Sequence, residues 1–165
     1  MASLFATYVF SVVHKSRAER PHQVVSIWAD GGLLPVKTLR ILSIVLVVLH
    51  LLISIPHGMA HTNLLIQMQA WQNVCVLVVI TILPLVAAIL IWRHWRAGFL
   101  LLLVSMAGSF VFGLFYHFIA AGPDNVASLP THPATDTFKV TALLLALTEA
   151  AGVVLGLAGY RRQPH

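Results

Sequence analysis

Three long runs of this chain carry almost no charge, and they decide what it can fold into. No Asp, Glu, Lys or Arg stands between Arg40 and Arg93, Arg96 to Asp124 is equally bare, and Lys139 to Arg161 holds only Glu149. A bilayer's hydrocarbon core is about 30 Å thick and takes about 20 helical residues to cross. The first run is long enough for two crossings and the other two for one each. Charged residues make up 9% of the 165, against about 25% in soluble domains, so the chain cannot solvate its surface in water. The expectation is an all-α integral membrane protein, a bundle of four transmembrane helices over Thr38–His57, Asn73–Trp92, Ala97–Ala121 and Phe138–Tyr160.

Three segments follow from that division: 1–37 as an N-terminal cytosolic or interfacial segment, 38–160 as the four-helix transmembrane domain, and 161–165 as a cytosolic tail. In the first, LFATYVFSVV spans about 15 Å as a helix, too short to cross. It also lacks the basic flank and small-residue cleavage site of a signal peptide. It reads as an interfacial helix, or else as residues ahead of a domain that starts near Leu34. Pro56 is expected to stop the first helix. Pro84 is expected to kink the second, where neighbouring helices can satisfy the freed carbonyl. Between them, Leu64, Leu65, Met68 and Trp71 recur at helical spacing, which predicts a short amphipathic helix in the interface with Trp71 as an anchor. Gly122-Pro123 ends the third helix and opens a loop that runs to Asp136.

The cations are lopsided. Lys15, Arg17, Arg20, Lys37 and Arg40 precede the first span, Arg93 and Arg96 join the second to the third, and Arg161 and Arg162 follow the fourth; only Lys139 lies on the other side. The positive-inside rule then puts both termini in the cytoplasm of a cell whose inner or plasma membrane holds the protein. The formal net charge of +5 is an orientation signal and an attraction to anionic headgroups. Scattered at helix ends with no recognition module around them, these residues argue against nucleic acid as a partner. The single cysteine, Cys75, excludes an intramolecular disulfide and reads as a small apolar filler.

Ionisable groups inside the apolar runs are costly and mark candidate function. His50, His57 and His61 follow one another at steps of seven and four, which return to nearly the same helical face. His117 lies on a ridge with Ser105, Ser109 and Gly113, and Glu149 shares a face with Ala142, Gly152 and Gly156. Such small-residue ridges let helix backbones approach, so both ionisable groups should point inward. The assumed topology gathers the histidines at the outer end of the bundle.

Two cofactor readings stand side by side. His57 and His61 can chelate one transition-metal ion (zinc, copper or iron) if the helix continues past Pro56 and Gly58, with His117 as third ligand. Alternatively His50 and His117 could ligate a b-type haem between facing helices. Either makes a membrane redox or electron-transfer protein, with Glu149 in the catalytic role of proton acceptor or as a further ligand. A proton-coupled transporter or channel using Glu149 and His50 is a second class. A non-catalytic accessory subunit, whose polar groups bond helices together, is a third. Partners beyond the lipid bilayer would be other membrane subunits or a quinone. The bland alternatives are solvated interface histidines at His57 and His61, a His50 bonded to Ser54 or a carbonyl, and a Glu149 bonded to Thr141, Thr148 or Tyr116.

Overall fold

The computed structural model describes residues 34–163; the N-terminal interfacial helix and basic segment expected above lie outside them. Four helices account for most of the described chain: α1, Val36–Asn63; α2, Ala70–Trp92; α3, Arg96–Ile119; and α4, Ala134–Arg162, each long and apolar enough to cross a membrane. No strand occurs among the described residues, so the all-α four-helix bundle expected from the charge-free runs is the architecture found. Its outward surface is aliphatic, with Leu52, Ile55, Met59, Leu77, Val104 and Val111 all exposed, the finish of a protein solvated by lipid.

α1 does not stop at Pro56. It runs through Pro56 and Gly58 to Asn63, six residues or about 9 Å beyond the expected exit. Continuing the helix loses one backbone hydrogen bond at the proline. Ending it there would leave a full turn of carbonyls without partners in a medium that offers none. The helix ends instead in a Schellman turn: Leu65 N–H donates to Thr62 O and Ile66 N–H to His61 O, both at 3.1 Å, with Leu65 in the left-handed region at φ 54°. Residues 66–69 have no regular structure, and helix resumes at Ala70. The separate amphipathic helix expected here is absent. Trp71 belongs to the first turn of α2, where its indole N–H donates to Gln69 Oε1 at 2.7 Å.

α2 and α3 each contain a π-helical stretch, Val76–Ile82 and Phe115–Ile119. The first immediately precedes Pro84, which cannot donate to Ile80 O and whose ring crowds that carbonyl. A widened turn relieves both problems within α2, where the sequence suggested a kink. Both π stretches border the cavity described below.

At the end of the bundle that carries the start of α1 and the end of α4, the helices pack closely. Leu39, Val47, Ala87, Ile91, Phe99, Leu102 and Met106 form one buried cluster. Glycines set the spacing there. A Cβ at Gly156 would lie 2.7 Å from Leu103 N, and one at Gly98 would lie 2.6 Å from Ile91 N. Arg96 closes this end by donating to Tyr160 O at 3.1 Å while stacking 4.1 Å from the Tyr160 ring centre.

Candidate metal centre

Along its length α1 buries a stripe of residues at helical spacing, Leu39, Ser43, Val47, His50, His57 and His61, and the last two stand at the opposite end of the bundle. Because α1 continues through Gly58, His57 and His61 stand one turn apart with ring centres 4.9 Å apart. The π turn of α3 brings His117 against them, 5.0 Å from the His57 ring centre and 5.7 Å from that of His61. One ligand nitrogen from each of the three lies within 4.8 Å of the others. Zinc–nitrogen bonds of about 2.0–2.1 Å in a tetrahedron need nitrogens about 3.4 Å apart, so closure onto an ion takes side-chain shifts of about 1.4 Å.

Two of the imidazoles are held by a hydrogen bond at the other nitrogen, and the third lies beside a carboxylate. Thr141 donates its hydroxyl proton to Thr137 O at 2.6 Å, so its oxygen accepts from His57 Nδ1–H at 2.9 Å. His117 Nδ1–H donates to Asp124 O at 3.1 Å and lies 3.3 Å from Asp124 Oδ1. His61 Nε2 lies 3.4 Å from the same carboxylate oxygen. With Nδ1 of His57 and of His117 donating, Nε2 of each keeps a lone pair for a ligand; the His61 ring meets the Asp124 carboxylate without a hydrogen bond. His61 Nδ1 is buried without any hydrogen-bond partner. Orientation of a histidine ligand through its second nitrogen is the usual outer-shell arrangement of metal sites. Phe138, fully buried, backs the cluster with its ring centre 4.8 Å from His57, 4.9 Å from His61 and 5.2 Å from His117.

Asp124 is the residue that sequence reasoning missed. It lies in the loop after α3, which folds back on the helix end through Val126 N–H to His117 O at 3.0 Å and Asn125 Nδ2–H to Ala120 O at 2.9 Å. Burial pushes its carboxyl up, but the hydrogen bond with His117 and the nearby His117, His61 and His57 rings outweigh that and hold it below the usual Asp value. Its sequence signal was slight: an acid directly after the Gly-Pro that ends the helix.

The histidines open onto a cavity of about 420 Å³ that Glu149 also lines. Glu149 is 3% exposed. Side chains on a helix lean toward its N-terminus, which aims Glu149 back up α4 toward the cluster. A Cβ placed at Gly113 would touch both Glu149 Oε2, at 3.7 Å, and His117 Cδ2, at 3.9 Å. Two of the hydroxyls expected to hold Glu149 are spent elsewhere. Thr141 serves His57, and Thr148 donates to Leu145 O at 2.9 Å while accepting from His50 Nδ1–H at 3.4 Å. Tyr116 packs among Trp71, Phe112 and Phe115.

His50 has a different position. It is fully buried beside Thr148, seven residues or about 10 Å of helix from His57. It does not line the cavity. Its Nε2 is buried without a hydrogen-bond partner among the described residues. His50 thus links α1 to α4, and its Ser54 neighbour donates to the His50 carbonyl at 2.8 Å. The structure joins His57, His61 and His117 with Glu149 nearby; it does not bring His50 and His117 to the walls of one cavity. Comparison with protein-family models, with curated proteins and with solved structures finds no match to this chain.

Proposed function

We propose that this protein is a membrane metalloprotein in which His57, His61 and His117 bind one transition-metal ion and leave it an open coordination position facing the cavity. The observation that carries the reading is the convergence of three imidazoles from two helices, with ligand atoms within 4.8 Å of one another. Three protein ligands plus an open position is the pattern of working metal sites, whereas structural sites are closed by a fourth protein ligand. Imidazoles suit copper and iron as well as zinc. A redox or electron-transfer role is supported by Glu149. A change in the ion's charge inside a low-dielectric cavity is costly unless a neighbouring group takes up or releases a proton, and Glu149 lines that cavity without a side-chain donor of its own. Glu149 acts as that proton acceptor or occupies the open position as a fourth ligand.

The test is metal content and a visible absorption spectrum on protein purified in mild detergent. One copper or iron ion per chain is expected, with His57→Ala and His117→Ala each lowering metal affinity tenfold or more, about 1.4 kcal/mol. A zinc ion held by the same residues would remove the redox role and keep the metal centre. A haem spectrum that disappears in His50→Ala and His117→Ala would replace the metal ion with haem. Neither metal nor haem would leave the accessory-subunit reading. Proton-coupled transport has its own support in the buried line of His57, Thr141, His50 and Thr148 beside Glu149. Proton flux in liposomes that is abolished by Glu149→Gln, in a protein without metal, would favour it.

A further inference from the structure

The cavity below the histidines is long, and its walls change character along its length. On α1 it runs from Thr62 to Ser54, and on α2 from Asn73 to Thr81, in each case eight residues or about 12 Å. At the histidine end the walls offer imidazoles and the Asp124 carboxylate. Along α2 and α3 they are mainly Val76, Ile80 and Phe112, faced from α4 by Leu145, with the Ser54 and Thr81 side chains at the far end. The cavity exists because α1 and α2 diverge: α1 packs along α4, but it meets α2 chiefly through Leu83–Trp92, the half remote from the histidines. Residues on the two sides of the divergence, Gly58 and Thr62 on α1 and Asn73 on α2, line the cavity and are exposed. A Cβ at Gly58 would meet nothing within 4 Å. Both flanking segments belong to helices long and apolar enough to cross a membrane, so in a bilayer the part of this gap below Gly58 would face acyl chains.

We infer that the site takes a lipid-like amphiphile from the bilayer, its head oxygen on the metal's open position and its hydrocarbon chain lying in the gap between α1 and α2. The inference rests on the metal-centre reading above. The physical case is complementarity at both ends. A head group bearing an oxygen donor meets the ion and Glu149 at the polar end. The chain exchanges lipid for apolar wall through a side opening and never passes through water. A small water-soluble ligand would need none of the apolar length. A volume of about 420 Å³ is within the range of small-molecule sites.

The experiment uses the full chain in nanodiscs, loaded with Co²⁺, whose visible bands report changes at the open position. Acetate and dodecanoate are titrated in parallel, into the parent and into Gly58→Trp, which puts an indole into the gap. Partitioning of dodecanoate into the disc is common to both proteins, so the reading is the ratio of dodecanoate to acetate affinity in one protein against the other. That ratio is expected to fall tenfold or more in Gly58→Trp. Ile80→Trp, which fills the same gap from α2, covers the case in which the first variant fails to fold. Cobalt bound with its usual bands but an equal ratio in parent and folded variants would overturn the amphiphile and leave the metal centre standing. No cobalt bound to the parent would overturn the metal centre, and this inference with it.

Discussion

Near the termini of the bundle, glycines let backbones touch; at the histidine end, the same four helices stand apart around a cavity. Gly98 and Gly156 each have backbone atoms less than 3 Å from where a Cβ would sit, whereas Gly58 has nothing within 4 Å and Gly113 has only ordinary contacts. Apolar side chains drive little association between helices in lipid, so close approach and interhelical hydrogen bonds must hold them together. The molecule segregates these two means. Backbone contact holds α3 on α4 at one end. At the other, Thr141 and Thr148 of α4 hold His57 and His50 of α1, which leaves room beside them. Polar groups can be kept at membrane depth because the far end supplies the packing.

The comparison is easiest to break with alanine. Gly156→Ala forces a methyl against the Leu103 backbone, which cannot rotate away, and should cost about 1–3 kcal/mol or more, read as a lowered midpoint of thermal unfolding in detergent. Full stability in that variant would mean the glycine end does not hold the bundle together.

Asp124→Asn comes next in size. It keeps the shape of the loop but weakens the orientation of His61 and His117, and loss of such an outer-shell partner typically costs tenfold to a hundredfold in metal affinity, measurable by competition with a chelator. The same substitution carries a pH signature in metal-free protein. Since the native Asp124 carboxyl titrates below its usual value, its stabilisation is complete above about pH 3.9 and is lost as pH falls through the lower native value. The stability difference between parent and Asp124→Asn should therefore shrink on acidification; a difference that grows would reverse the assigned shift.

Leu65→Gly should act in the opposite direction. Leu65 holds a positive φ and is 84% exposed, so glycine relieves strain of about 1 kcal/mol without losing packing, and the thermal midpoint should rise. Smallest of all is Gly58→Ala, expected within about 0.5 kcal/mol of the parent. A large loss there would mean that the α1–α2 gap is closed in the folded protein.

The spans were legible because lipid tolerates so little charge: Arg93, Arg96 and Arg161 mark one end of α2, α3 and α4 to within a residue, while the uncharged opposite ends were placed two to six residues off. His57 and His61 were legible as a pair from their spacing alone. Taking Pro56 as the exit of α1 hid the last turn and a half of that helix, which is what carries His61 beside His57. Asp124 depends on how a loop folds back over nine residues, and the isolation of Glu149 depends on two threonines choosing histidines instead. Neither choice leaves a periodic trace in the chain.

The π turn over Phe115–Ile119 makes chain length itself part of the site. Each helical residue turns the chain by about 100°. A single-residue deletion between Leu114 and His117, if the helix closed up into regular α geometry, would rotate His117 relative to Ser105 and Ser109 behind it and draw it back along the axis, away from His57 and His61. All three imidazoles would still be present in such a protein, and composition would be nearly unchanged. The centre is thus vulnerable to a change in register that no comparison of residue identities would flag.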